Sequence, residues 1–229
     1  MISVAKQWNP KQALLKSIIF EKDKFHEAMS LTIELHSMIH SSEMSGVEVK
    51  TFEDEIWDKL NENAISYMPT NEDVTIAWNI WHITRIEDIT SNILIAGQDQ
   101  VINSDNWIEK MNVKISDTGN AMKASEIMTF SESINVQQLR NYRIDVGRRT
   151  REIISGLKPE DLKEKIESPR LQRVLTEGGV LEVEDSIWLL DFWGKKNVAG
   201  ILLMPITRHQ VVHINDSLKL KEKYSKKLK

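Results

Sequence analysis

Apolar residues along the chain recur at helical spacing rather than in strand-like alternation. After Asn9-Pro10, an N-cap acceptor followed by a proline suited to a first helical turn, Leu14, Ile18, Phe25, Met29, Thr32, His36 and Ile39 fall at steps of three, four or seven. This predicts a helix from residue 10 to about residue 41, broken by the Ser41–Gly46 stretch. A short helix is expected within 51–62, around Trp57 and Leu60. Thr70, followed by Asn71, Glu72 and Asp73, reads as the N-cap of a second long helix with acidic residues in its first turn. That helix carries the stripe Trp78, His82, Ile86, Ile89 and Ile93, and Gly97 should end it after Ala96.

Residues 98–130 lack a clear period and read as an elaborated connection holding Trp107. A third long helix fits 134–156, with Leu139, Tyr142, Val146, Ile153 and Leu157 on its apolar side and Gly156 and Pro159 as the stop. Residues 158–180 look irregular, with a turn at Glu177-Gly178-Gly179. A shorter helix is expected over 182–193, carrying Trp188, Leu189, Phe192 and Trp193. The last helix either starts at Pro205 or starts near Asn197 and kinks at Pro205, and the kink is favoured. The pattern implies an all-α fold: one domain over 1–229, a bundle of four main helices with insertions.

Composition agrees with that picture. The 229 residues are 41% hydrophobic and 28% charged, with only 9 glycines and 5 prolines, which suits long helices better than a turn-rich β fold. A net charge of −4 argues against a nucleic-acid partner, and the basic run at 219–229 reads as a solvated helix end. The absence of cysteine excludes disulfides, thiolate ligands and a cysteine nucleophile. The first ten residues lack a signal-peptide core, and the apolar stretches are too short and too charged to span a membrane, so a cytoplasmic protein is expected.

Histidine carries the candidate chemistry. A spacing of four places two imidazoles one turn apart on one helical face, within reach of one ion. His209 and His213 have that spacing, but so do His36 and His40, and spacing does not choose between them. His82 sits on the apolar stripe of another helix, where a lone polar ring costs stability unless it has a partner, and a third histidine there could complete a three-histidine site with such a pair. Three neutral imidazoles leaving a fourth position open is an arrangement typical of a catalytic divalent ion.

The flanking residues carry a resemblance. Ile76-Ala-Trp-Asn-Ile-Trp-His82-Ile-Thr-Arg85-Ile-Glu87-Asp88 is similar to the second-helix motif of the DinB/YfiT-like metalloenzyme family. Thr207-Arg208-His209-Gln-Val-Val-His213-Ile-Asn-Asp216 resembles that family's last-helix motif. The resemblance implies a DinB-like four-helix bundle holding a divalent metal ion, zinc or nickel, on His82, His209 and His213. It also implies small-molecule chemistry: S-transfer from a low-molecular-weight thiol, with metal-assisted hydrolysis or a non-catalytic metal-binding, stress-associated module as alternatives. Arg85 and Arg208 are candidates to hold an anionic substrate group. Glu87, Asp88 and Asp216 are candidates to orient an imidazole or to act as acid or base, and His36 and His40 to line the pocket. Trp78, Trp81, Trp188 and Trp193 read as core packing. A homodimer is expected, and the apolar residues of 181–193 are read either as its contact or as a cap on the bundle.

Overall fold

The computed structural model describes residues 4–228; the first three residues of the N-terminal segment and Lys229 of the basic run lie outside. Helices α1 (Val4–Ile18) and α2 (Phe25–Ile39) are followed by α3 (Phe52–Trp57). Helix α4 (Ile76–Asp88) runs on as a π-helical stretch, Ile89–Ala96. Then come α5 (Ala124–Ser133), α6 (Val136–Gly156), α7 (Ser168–Thr176) and α8 (Glu184–Gly194). Helix α9 (Val198–Leu203) passes through a π-helical segment, Met204–Arg208, into α10 (His209–Lys227). The described residues contain no strand, only an isolated bridge between Lys165 and Asn197. None of the described helices is long and apolar enough to cross a membrane.

Helices α2, α4, α6 and the α9–α10 pair form the four-helix core, with α4 packed on both α6 and α10. The expected 10–41 helix is two helices separated by a tight turn at Lys22–Lys24, and the first begins before Asn9, with Pro10 inside it. Breaking there lets α1 pack against α2, which buries Trp8, Leu15, Ile18 and Ile19 while Leu14 faces solvent. Thr70 is not the cap of α4. Its hydroxyl donates to Asp73 in a turn, and Thr75 caps the helix by accepting from the Trp78 amide at 3.0 Å. Gly97 ends the extended helix as expected, at a φ of 65°.

Two expected irregular stretches contain helices. Helix α5 lies mostly within 98–130, and α7 occupies 168–176, opened by Pro169 in its first turn. The last helix does start at Asn197, whose side chain accepts from the Gly200 amide at 2.9 Å. It kinks where Pro205 has no amide to donate, and the Thr207 hydroxyl takes up the Leu202 carbonyl at 2.7 Å.

Helix α4 departs most from its sequence pattern. Every residue from Ile76 to Ile95 is buried, so the polar side opposite the apolar stripe is inside the protein too. Buried polar side chains must be paired. The side chains of Asn79, His82, Arg85, Glu87 and Asp88 therefore each reach a neighbouring element, and these contacts build the candidate site and its surroundings.

Candidate metal centre

His82 comes from α4, and His209 and His213 from the first turns of α10, directly after the Pro205 kink. Each offers a ring nitrogen, and these atoms lie within 4.8 Å of one another. The ring centroids are 4.6–5.0 Å apart. Two of the rings are held by acceptors. His82 Nδ1 donates to the Thr118 carbonyl at 2.8 Å, and His213 Nδ1 donates to Asn79 Oδ1 at 2.9 Å. A carbonyl can only accept, so the proton sits on Nδ1 and the Nε2 lone pair of each ring is left free. His209 Nδ1 is buried without a partner.

His82 Nε2 and His209 Nε2 are 3.2 Å apart. A tetrahedral ion with metal–nitrogen bonds of about 2.0–2.1 Å holds its ligand nitrogens about 3.3 Å apart. Burial pushes the His82 imidazole down to about 3, aided by His213 and opposed by the Thr118 hydrogen bond. Burial, with His82 and His213 adding to it, holds His209 well below the usual range. Burial lowers His213 to about 4 against the upward pull of the Asp216 charge. All three rings are therefore neutral at pH 7, the form that ligates. In spacing, tautomer and charge the residues fit a divalent ion.

The connection 98–130 does more than link helices. Trp81 Nε1, His82 Nδ1 and Trp78 Nε1 donate in turn to the carbonyls of Asp117, Thr118 and Gly119, at 3.0, 2.8 and 3.2 Å. Three consecutive carbonyls thus fix three side chains of α4, and Trp78 stacks on His82 with centroids 4.5 Å apart. Gly119 has a φ of 75°, and a Cβ there would lie 2.9 Å from Trp78 Nε1, so both backbone and space require glycine.

All three histidines line one cavity of about 440 Å³. Trp78, Trp81 and Trp193 are buried, as expected of core residues, although Trp78 and Trp193 also line this cavity; Trp188, which lines it too, departs from that expectation. Trp188 is 49% exposed.

Residues 54–214, which include the three histidines, match the family model described as the DinB superfamily. The match spans 161 of 229 residues. The chain belongs to the DinB superfamily. No curated protein matches it.

Within this DinB-superfamily chain the second histidine pair goes elsewhere. His36 and His40, both fully buried, donate through Nε2 to the two oxygens of Glu87 at 2.7 and 2.8 Å, and do not line the cavity. Glu87 also accepts from Gln210 at 2.7 Å, and the Arg143 guanidinium lies 4.0 Å away. Burial would raise the Glu87 carboxyl, but His40 and His36 and their hydrogen bonds outweigh it and hold it well below the usual range. Contacts of 2.7–2.8 Å are hydrogen bonds with protons in place, tighter than the spacing around an ion. Geometrically, then, this cluster is a proton-bearing network, although its donor set also suits a cation.

Arg85 and Asp88 form a further buried network. Arg85 donates to Asp88, Tyr142, Gln100 and the Ser116 carbonyl, and Asp88 also accepts from Tyr142 and the amides of Val101 and Ile102. Neither lines the cavity; both tie the 98–103 segment to the bundle. Arg208 is exposed, and Asp216 pairs with Lys219 at 2.9 Å while its charge acts on His213. Sequence reasoning missed Asn79 and Thr118. Asn79 was findable, since it precedes His82 by one turn on the same face. A backbone acceptor at Thr118 leaves no trace in residue type.

Proposed function

We propose that this protein is a divalent-metal-dependent enzyme whose ion, zinc or nickel, is held by His82, His209 and His213. One observation carries the reading: the three neutral imidazoles open together onto a cavity, and no carboxylate completes their cluster among the described residues. A sealed structural site would instead have a fourth protein ligand. When bound, such an ion supplies Lewis acidity that lowers the pKa of a thiol or water near it.

The residues divide the remaining work. Thr118 and Asn79 keep the ring protons on Nδ1 and so keep Nε2 available. Trp78, stacked on His82, excludes water from one side of the centre. The reaction we favour, on the family resemblance, is S-transfer: a small thiol loses its proton to solvent and its sulfur bonds to an electrophilic carbon. Either a leaving group departs with its bonding pair, or a π bond to that carbon breaks and its pair moves to the adjacent atom, which takes up a proton from solvent.

The experiment is metal analysis by mass spectrometry on protein purified without a histidine tag, followed by a screen of small thiols against generic electrophiles. One equivalent of metal, lost in His82→Ala and His213→Ala, and turnover abolished by chelator are expected. Metal content that is sub-stoichiometric after reloading and indifferent to both substitutions would sink the proposal.

A further inference from the structure

The cavity beside the three histidines has walls that limit what it can admit. Its volume of about 440 Å³ lies in the range that encloses a drug-sized organic molecule. Four aromatic rings, Trp78, Trp188, Phe192 and Trp193, shape it, and Met204 and Pro205 add apolar surface from the kink. Apart from the histidines, the polar side chain on its wall is that of Asn120, and no lysine, arginine, aspartate or glutamate lines it.

The indole donors of Trp78 and Trp188 are already used. They donate to the carbonyls of Gly119 and Asp185, both at 3.2 Å, which leaves ring faces and edges toward a ligand. Trp188 and Phe192, one turn apart on α8, meet edge to face with centroids 6.0 Å apart. The Lys196 ammonium sits 4.0 Å over the Phe192 ring, where it is already engaged with an aromatic face. Trp188 remains half exposed, although an indole of that size gains by being covered.

We infer that the substrate of this site is a planar aromatic or conjugated molecule, uncharged where it meets these walls, gripped between Trp188, Phe192 and Trp78 with its reactive end toward the histidines. In the metal-stripped protein an ionised compound would lose its hydration and find no counter-charge on these walls, whereas a divalent ion on the histidines would itself attract an anion. The inference rests on the metal-enzyme proposal only for the direction of the reactive end; the choice of a neutral ring rests on the walls.

The test is calorimetric titration of the full-length protein, metal-loaded and metal-stripped, with naphthalenemethanol and with naphthalenesulfonate, two probes sharing a ring system and differing in charge. In the metal-stripped form, where the walls alone decide, the alcohol should bind at least about tenfold more tightly than the sulfonate. Trp188→Ala should weaken the alcohol about tenfold and leave metal content unchanged, because Trp188 is half exposed and is not a ligand. Equal or reversed preference in the stripped form, no measurable binding of the alcohol, or indifference to Trp188→Ala would each overturn the inference. Stoichiometric metal without preference for the alcohol defeats this inference and spares the metal proposal. Preference for the alcohol without metal binding does the reverse.

Discussion

Asn79 gives the sharpest handle on the centre. Its Oδ1 accepts from His213 Nδ1 at 2.9 Å and fixes that ring, while its own Nδ2 is buried without a partner. Asn79→Ala therefore removes one orienting hydrogen bond and one unsatisfied donor together. Leaving the His213 N–H without its acceptor costs about 1–3 kcal/mol, felt when the ring must be held for ligation. Outer partners of ligating histidines contribute about 10–100-fold in metal affinity, or about 1.4–2.7 kcal/mol, and the two figures agree. Fold stability should fall by less, about 1 kcal/mol, because the lost donor was already unpaired. Competition titration of zinc against a chromophoric chelator reads the first quantity, and urea unfolding of the metal-free protein reads the second. Asn79→Asp, which restores an acceptor, should recover most of the affinity. A zinc Kd for Asn79→Ala within about twofold of the parent would refute the claim that Asn79 positions the ring.

Two further outcomes follow from the buried polar groups. His40 and His82 are pushed down to about 3 and His213 to about 4, chiefly by burial, against 6.5 for a free imidazole. As pH falls below 6.5 the unfolded chain takes up protons that the folded one refuses. Stability is thus fully present above pH 6.5 and is lost progressively as pH falls, toward pH 4 for His213 and pH 3 for His40 and His82, by up to about 1.4 kcal/mol per pH unit for each histidine. Urea midpoints of the metal-free protein that stay constant from pH 7 to 5 would contradict this. Arg85→Met strands the Asp88 charge and should destabilise the fold by about 3–5 kcal/mol. Metal stoichiometry, measured under conditions where the variant stays folded, should not change; its loss would place Arg85 in the centre rather than in the frame.

Helical periodicity, caps and the Pro205 break were readable in the sequence because they are local. The 3.6-residue repeat belongs to the backbone, glycine at Gly97 suits a left-handed C-terminus, and proline lacks an amide whatever surrounds it. These features were sufficient for an all-α bundle, and the motifs around His82 and His209 pointed to the superfamily. Local signals also misled. Thr70 and Thr75 are equally able to cap, and the choice of Thr75 follows from where α4 packs. Helix α7 is amphipathic but only 9 residues long, too short for its period to stand out along the chain.

What His36-x-x-x-His40 and His209-x-x-x-His213 become was decided only by the tertiary structure. The spacing is identical, but one pair meets the Glu87 carboxylate and holds protons, while the other meets His82, whose proton is drawn to the Thr118 carbonyl so that its lone pair is left facing inward. A carboxylate acceptor keeps protons on the Nε2 atoms of the first pair. Backbone and amide acceptors behind His82 and His213 keep them off the Nε2 atoms of those rings. That distinction depends on contacts between residues far apart in the chain, and no local pattern of hydrophobic and polar positions encodes it.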